Sequence, residues 1–211
     1  MNERQPTVHV VDDDESFLRA TARLLAASGF EVRTHASASQ FLAEWNDEEP
    51  GCVVADLDMP ELGGLDLQTA LARSPNPPPV LFLTGHGDIA STVRAMREGA
   101  EDFLEKRQPA AMLLDAVRRA LARDAQQREA RARRVSLVSP FSALTVRERE
   151  VLEHVVRGRL NKQIAADLGI HERTVKLHRM AMMSKLGVHS VAELTRLTYE
   201  AGLVGPLEAR T

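Results

Sequence analysis

Carboxylates in the first half of this 211-residue sequence fall directly after short apolar runs. Asp12 and Asp13 follow one such run and Asp56 follows another, while Thr84 and Lys106 stand at the ends of two later runs. A crowd of carboxylates repels itself unless a cation lies among them, and hard oxygen ligands without neighbouring Cys or His favour Mg²⁺. A carboxylate such as Asp56 can then attack phosphorus while the metal and Lys106 neutralise the transferring phosphoryl group.

Five short runs of apolar and β-branched residues alternate with amphipathic segments over residues 8–120, and this alternation indicates a parallel sheet covered by helices on both faces. The predicted strands are Val8–Val11, Glu31–Thr34, Cys52–Ala55, Val80–Leu83 and Asp102–Leu104. The predicted helices are Glu15–Ala27, Ser37–Trp45, Leu65–Ala72, Ile89–Arg97 and a segment from Ala110 onward. The fold class is therefore α/β, a doubly wound five-stranded parallel sheet. The carboxyl ends of its strands bring the acids, Thr84 and Lys106 to one edge.

The second half predicts a small all-α domain. Its expected helices are Thr145–Arg157, Asn161–Leu168, Glu172–Leu186 and Ser190–Ala201. Thr145 followed by Glu148 is a capping box, and Gly169 fits the left-handed position that ends a helix. The last helix of the first domain continues to about Arg134 as a solvated linker, and Val135–Phe141 is the predicted break. The expected domains are 1–121, a helical linker 122–140, and 141–211.

The charge is distributed unevenly between the two halves. Residues 1–120 contain 11 Lys/Arg and 20 Asp/Glu, whereas residues 121–211 contain 16 and 10. A basic second half favours a polyanionic partner. No apolar run approaches the roughly 18 residues that a membrane span requires, and the N-terminus has no secretory pattern. The single cysteine, Cys52, excludes an intramolecular disulfide, so we expect a cytoplasmic protein without a membrane partner.

Residues 7–120 resemble the receiver domain of response regulators, a flavodoxin-like fold. The matching motifs are Val10-Val11-Asp12-Asp13-Asp14, Asp56-Leu57-Asp58-Met59-Pro60 with Gly63-Gly64, Thr84-Gly85-His86-Gly87-Asp88, and Gly99-Ala100-Glu101-Asp102-Phe103-Leu104-Glu105-Lys106. The resemblance implies that a partner histidine kinase phosphorylates Asp56. It also implies that Mg²⁺ is held by Asp12, Asp13, Asp56 and the main-chain carbonyl of Asp58. Thr84 and Phe103 match the family's switch residues, and Lys106 matches the lysine of its catalytic site.

Two positions depart from the receiver pattern. Arg107 follows Lys106 where the family usually has a proline in a cis bond, and a cis bond before a non-proline residue costs about 3 kcal/mol. We therefore expect a trans bond and an altered reach for Lys106. Asp58 adds a carboxylate two residues from the proposed phosphoacceptor. We hypothesise that Asp58 shortens the lifetime of the phosphoryl group.

Asn161–Leu186 has the packing pattern of a helix-turn-helix, whose second helix reads base edges while its neighbours contact phosphates. The motifs Thr145–Leu152, Asn161–Ala165 and Thr174–Arg179 match the LuxR-type DNA-binding domain, and the whole chain resembles the FixJ/NarL family of response regulators. The resemblance assigns base readout to Lys176, Leu177 and Met180. It favours phosphate contacts for Asn161, Lys162, Thr174, His178 and Arg179. The helix Val191–Ala201 matches the element that pairs such domains on DNA.

The resemblance implies a DNA-binding transcriptional regulator and not an enzyme, apart from its own phosphoryl transfer and dephosphorylation. Phosphorylation would promote homodimerisation and binding to a two-fold-related site in double-stranded DNA, with RNA polymerase a further candidate partner. Three alternatives stay open: a constitutive DNA binder with a decoupled receiver, a DNA-independent adaptor, and a phosphohydrolase similar to the haloacid dehalogenases. The third needs an Asp nucleophile followed two residues later by an acid, as Asp56 and Asp58 are.

Overall fold

A computed structural model describes residues 5–85 and 89–203. Five parallel strands form one sheet in the order β2-β1-β3-β4-β5. The strands are β1 (Thr7–Val11), β2 (Glu31–His35), β3 (Gly51–Ala55), β4 (Val80–Thr84) and β5 (Asp102–Glu105). The central strands β1, β3 and β4 are buried along their whole length, which is why their sequences read as continuous apolar runs. The predicted α/β fold class is confirmed.

Nine helices are present in the described residues. They are α1 (Glu15–Ala27), α2 (Ala38–Glu44), α3 (Gly64–Leu71), α4 (Ile89–Arg97), α5 (Ala110–Ser142), α6 (Val146–Val156), α7 (Asn161–Leu168), α8 (Glu172–Leu186) and α9 (Val191–Glu200). Each lies within about two residues of its predicted bounds except at the end of α5. In the described part of the chain no helix combines the length and apolar character that crossing a membrane requires.

The sheet has a buried apolar layer on each face. One layer includes Val8, Leu81 and Val117, and brings together β1, β4 and α5. The other includes Phe41, Leu67 and Phe82, and packs α2 and α3 against the opposite face. Helices on both faces hold the central strands rigidly, so the residues at the strand ends are placed by the core and not by the loops themselves.

Backbone hydrogen bonds fix the loops at the carboxyl edge of the sheet. The N–H of Asp12 donates to the carbonyl of His35 over 3.1 Å, and the N–H of Asp56 donates to the carbonyl of Val11 over 2.8 Å. Gly64, the first residue of α3, lies so close to Asp56 that a Cβ there would contact the main chain of Asp56 and approach the Phe82 ring to 2.8 Å. A larger residue at this position would displace the segment that carries Asp56.

Helix α5 continues through the predicted break at Val135–Phe141, and this expectation was wrong. Pro140 lies inside the helix. Leu137, Val138 and Phe141 pack against the apolar core of the C-terminal helices, with Phe141 buried. This packing offsets the local cost of a proline in a helix. By its contacts the chain divides into two units, residues 1–129 and 130–211. The domain boundaries given above stay predictions.

Two residues near the start of the predicted linker pack against the first domain, one buried and the other half-buried. The Asp124 carboxylate, 3% exposed, accepts a hydrogen bond from the N–H of Gly51 over 2.9 Å. Arg128 donates through Nε to both carboxylate oxygens of Asp124. Its Nη1 and Nη2 reach the carbonyls of Asp47, Glu48 and Glu49, the shortest contact being 2.6 Å. We call this arrangement of Asp124 and Arg128 the α5 latch. It ties helix α5 to the loop before β3.

The C-terminal unit is built around a core that includes Val151, Ile164, Val175, Met182 and Leu194, contributed by α6, α7, α8 and α9. The predicted capping box at the start of α6 is present. Gly169 adopts φ 65° and ends α7, as a tight turn between α7 and α8 requires. Lys185, near the end of α8, donates to Glu148 over 2.7 Å and so holds α8 against the start of α6.

Candidate functional site

The predicted acids come together at the carboxyl edge of the sheet. One carboxylate oxygen from each of Asp12, Asp13 and Asp56 lies within 4.8 Å of the other two. Asp12 and Asp56 are buried and Asp13 is exposed, so the cluster has a polar floor and one side open to solvent. The N–H of Leu57 donates to Oδ1 of Asp56 over 2.7 Å and fixes the orientation of this carboxylate.

Lys106 reaches into the same cluster. Its Nζ lies 2.6 Å from Oδ2 of Asp12 and 3.0 Å from Oδ2 of Asp56. Burial works to lower the pKa of Lys106, but hydrogen bonds to Asp12 and Asp56 outweigh it and raise that pKa. Lys106 therefore stays an ammonium, which is the form that can neutralise a phosphoryl oxygen. The Lys106–Arg107 bond is trans, like every other peptide bond in the described residues.

The donor set fits a hard divalent cation. Burial raises the pKa of Asp12, although the hydrogen bonds from Lys106 and from the N–H of Asp14 act in the opposite direction. A buried carboxylate with this tendency gains from a nearby cation, which favours its ionised form. Three carboxylates and no sulfur or imidazole ligand in the group match the preference of Mg²⁺.

The remaining receiver residues lie around this cluster. Thr84 is fully buried at the end of β4, and its carbonyl accepts from the N–H of Lys106 over 2.8 Å. Phe103 is half-buried on β5, with its ring centroid 6.2 Å from that of Phe82. The side chain of Asp58 is exposed. Residues 86–88, part of the Thr84–Asp88 motif, lie outside the described residues.

Helix α8 presents one apolar and basic face to solvent and buries the opposite one. Lys176, Leu177 and Met180 are exposed, Leu177 at 57% and Met180 at 69%. The helix is anchored by Val175, Met182 and Leu186, which are buried in the core. Large apolar side chains so exposed on a helix favour a contact surface, and the three residues predicted for base readout share it.

The residues predicted for phosphate contacts differ in their exposure and in the helix on which they lie. Lys162 is exposed at the start of α7, while Thr174 and His178 are half-buried on α8. Nη1 of Arg179 donates to Oδ1 of Asn161 over 2.8 Å, which connects α8 to the first residue of α7. This pairing was not predicted, because residues 18 positions apart carry no local signal of contact.

Sequence reasoning also missed the ring of Phe17. The Nζ of Lys106 lies 4.4 Å from the centroid of this ring. Phe17 was predicted only as an apolar residue of α1, and nothing in its spacing relates it to a lysine so far along the chain. The sequence signal that could have pointed to Phe17 is its position about one helical turn after the Asp12-Asp13 pair.

A parallel five-stranded sheet with an acidic edge and a lysine, together with a helix-turn-helix unit, defines a two-part protein that combines a receiver with a DNA-binding module. Residues 8–118 match the model of the response regulator receiver domain, and residues 142–198 match the model of the luxR family of bacterial regulatory proteins. The chain belongs to the transcriptional response regulators that join these two domains, as its sequence predicts.

Relatives with both domains extend over nearly the whole chain. The response regulator protein TmoT of Ectopseudomonas mendocina is 40% identical over 198 residues, covering 94% of this chain and 90% of the relative. The transcriptional regulatory protein FixJ of Azorhizobium caulinodans is 41% identical over 204 residues, covering 97% and 96%. The solved structure of the response regulator StyR is 46% identical, covers 93% of this chain and all of that one, and has a TM-score of 0.81.

Proposed function

We propose that Asp56 is the phosphoacceptor of this regulator and that a sensor histidine kinase is its phosphodonor. The observation that supports this most strongly is the position of Lys106, whose ammonium contacts Asp12 and Asp56 together. In the transfer, an oxygen of Asp56 forms a bond to phosphorus as the P–N bond of a phosphohistidine breaks. The leaving imidazole keeps the electron pair and takes up a proton. Lys106 then neutralises charge on the phosphoryl oxygens.

Asp12, Asp13 and Asp56, with the main-chain carbonyl of Asp58, would hold the Mg²⁺. The bound ion would offset the repulsion between the carboxylates and the incoming phosphoryl group. The exposure of Asp13 leaves an open side through which the phosphodonor can approach. Asp56 is held in place by Leu57 and Lys106 before any donor arrives, so little reorganisation is needed.

Phosphorylation then shifts a conformational population. Thr84 lies at the end of β4, where its hydroxyl can hydrogen-bond a phosphoryl oxygen on Asp56, and Phe103 follows into the space that Thr84 leaves. The altered face of α4, β5 and α5 favours a homodimer, and the dimer brings two DNA-binding domains to a two-fold-related promoter site. RNA polymerase is a further candidate partner at that promoter.

The test is the solution mass of the full chain with Mg²⁺, with and without beryllofluoride. We expect a shift from monomer to dimer on addition of beryllofluoride, absent in Asp56→Asn and retained in Asp66→Asn. Asp66 is an exposed carboxylate in the first turn of α3 and serves as the matched control. A wild-type protein that stays monomeric would favour the alternative of a constitutive DNA binder whose receiver is decoupled.

Two further measurements separate the remaining alternatives. Turnover of a phosphate ester would support the phosphohydrolase. Weak DNA binding that does not respond to salt would support the adaptor, because phosphate contacts make affinity fall steeply with salt. We expect no turnover, and salt-sensitive binding of DNA.

A further inference from the structure

We propose that Phe17 is a positioning residue for Lys106, and that its ring holds the ammonium against Asp56 by a cation–π contact. The Nζ of Lys106 lies 4.4 Å from the ring centroid, well within the roughly 6 Å over which such contacts act. The proposal rests on the proposed phosphorylation of Asp56. It adds a residue of helix α1 to the machinery that the acids and Lys106 provide.

The Lys106 ammonium is close to three groups. One side faces Asp12 at 2.6 Å, a second faces Asp56 at 3.0 Å, and the third faces the Phe17 ring. The side chain of Lys106 is only 17% exposed, so its ammonium is largely shielded from water. A cation that is largely desolvated interacts more strongly with a ring than an exposed one does.

The ring itself is held by α1. Asp14 caps this helix by accepting from the N–H groups of Ser16 and Phe17, which fixes the backbone of Phe17 close to the acidic cluster. The ring packs against the apolar layer that includes Leu104 and Leu113. The position of Phe17 is therefore fixed, because the helix cap holds its backbone and the apolar core holds its ring.

The Phe17 ring matters because empty space lies beside the side chain of Lys106. A cavity of about 200 Å³ borders Lys106 and is lined by α1, β5 and the start of α5, including Phe17, Leu24 and Leu104. Arg107 follows Lys106, so no proline ring restricts the backbone there. Without the Phe17 ring, the flexible stem of Lys106 could enter this cavity and leave Asp56.

The first experiment measures phosphorylation of the full chain by acetyl phosphate with Mg²⁺. A small phosphodonor is used so that changes on α1 do not act through docking of a kinase. We expect Phe17→Leu to lower the rate about threefold to tenfold, since it keeps apolar bulk but removes the ring. Phe17→Tyr should stay within about twofold of wild type, since it keeps the ring. Leu24→Val, on α1 in the same cavity, is the matched control and should keep the wild-type rate.

The second experiment varies the electron density of the ring while keeping its shape. Phenylalanines with one, two and three ring fluorines at position 17 should lower the phosphorylation rate step by step, because each fluorine weakens the negative face of the ring. A ring that merely fills space would give the same rate throughout the series. That flat result would overturn the proposal even if Phe17→Leu were slow.

The third measurement does not depend on phosphorylation. The ring should displace the NMR resonances of the Lys106 Hε protons upfield in wild type and in Phe17→Tyr, and this displacement should be lost in Phe17→Leu. If wild type accepts no phosphoryl group, the proposed function fails while this spectrum still decides whether the contact exists. If wild type is phosphorylated and Phe17→Leu matches its rate, the positioning role alone is wrong.

Discussion

The guanidinium of Arg179 donates a hydrogen bond to Oδ1 of Asn161 over 2.8 Å, so the two helices of the helix-turn-helix are joined by two side chains that are both predicted to contact DNA phosphates. The carboxamide of Asn161 can therefore orient the guanidinium before DNA arrives. An arginine held in this way loses less rotational freedom on contacting a phosphate than a free one does.

Asn161→Ala should weaken DNA binding about fivefold, which corresponds to roughly 1 kcal/mol for the lost hydrogen bond. The slope of affinity against salt should hardly change, because the charge of Arg179 remains. Arg179→Ala should lower that slope by about 0.9, as expected for one phosphate contact. Fluorescence anisotropy at several salt concentrations measures both. Equal salt slopes for Arg179→Ala and wild type would show that Arg179 contacts no phosphate.

Met180→Ala should reduce discrimination between a selected DNA site and a scrambled one about tenfold, because Met180 is predicted to contact a base edge and a mismatched base pair costs roughly 1–3 kcal/mol. Affinity for the scrambled site should stay the same. The DNA site is first selected from a random library with the wild-type protein. Val146→Ala, on α6 and 74% exposed, is the matched control for loss of an exposed apolar side chain. An unchanged ratio would remove Met180 from base readout.

Asp58→Asn should lengthen the lifetime of phosphorylated Asp56 severalfold. An exposed carboxylate two residues from Asp56 would repel the phosphoryl group or activate a water that attacks it, and the uncharged amide removes this negative charge. The measurement is loss of the phosphoryl group after the phosphodonor is removed. An unchanged dephosphorylation rate would count against this role.

Arg128→Met should destabilise the receiver by about 3 kcal/mol, because it leaves the buried carboxylate of Asp124 without its cation. Urea unfolding followed by the fluorescence of Trp45, the single tryptophan of the sequence, reports on this unit. Arg133→Met, an exposed arginine on the same helix, is the control. A receiver as stable as wild type would mean that the α5 latch adds nothing to stability.

The receiver should lose stability as the pH falls from about 6.5 to 4. Burial, followed by the nearby charge of His35, lowers the pKa of His9 to about 4, and the two rings are 3.1 Å apart at their closest nitrogens. The unfolded chain binds its proton near the ordinary pKa, so stability is complete above about pH 6.5 and declines toward pH 4, by roughly 3 kcal/mol. His9→Gln should flatten this decline, and His171→Gln, at an exposed position, should not. The urea concentration at the midpoint of unfolding, plotted against pH, measures this loss of stability.

The sequence was most informative where one rule governed many residues. Continuous apolar runs identified the central strands, and parallel topology then brought Asp12, Asp56 and Lys106 together without any knowledge of side-chain contacts. It was least informative where packing between distant segments overrides local preference. Pro140 predicted a break in α5, yet Phe141 buries itself in the core of the C-terminal unit and the helix continues.

Pairs such as Phe17 with Lys106, or Asp124 with Gly51, depend on segments that are far apart in the chain. An acid and an arginine four residues apart on a helix are typical of a solvated surface, so Asp124 and Arg128 gave no sign of burial. Only the position of the loop before β3 buries Asp124 and half-buries Arg128. Such contacts are properties of the fold and not of any local pattern.

The α5 latch also determines where this regulator can be divided. A receiver fragment that ends at Leu121 would lack Asp124 and Arg128, and would leave the N–H of Gly51 and the carbonyls of residues 47–49 without these partners. A chimera that transplants this receiver onto another DNA-binding module should therefore carry the helix through Glu129. The first two turns of the predicted linker therefore belong structurally to the receiver.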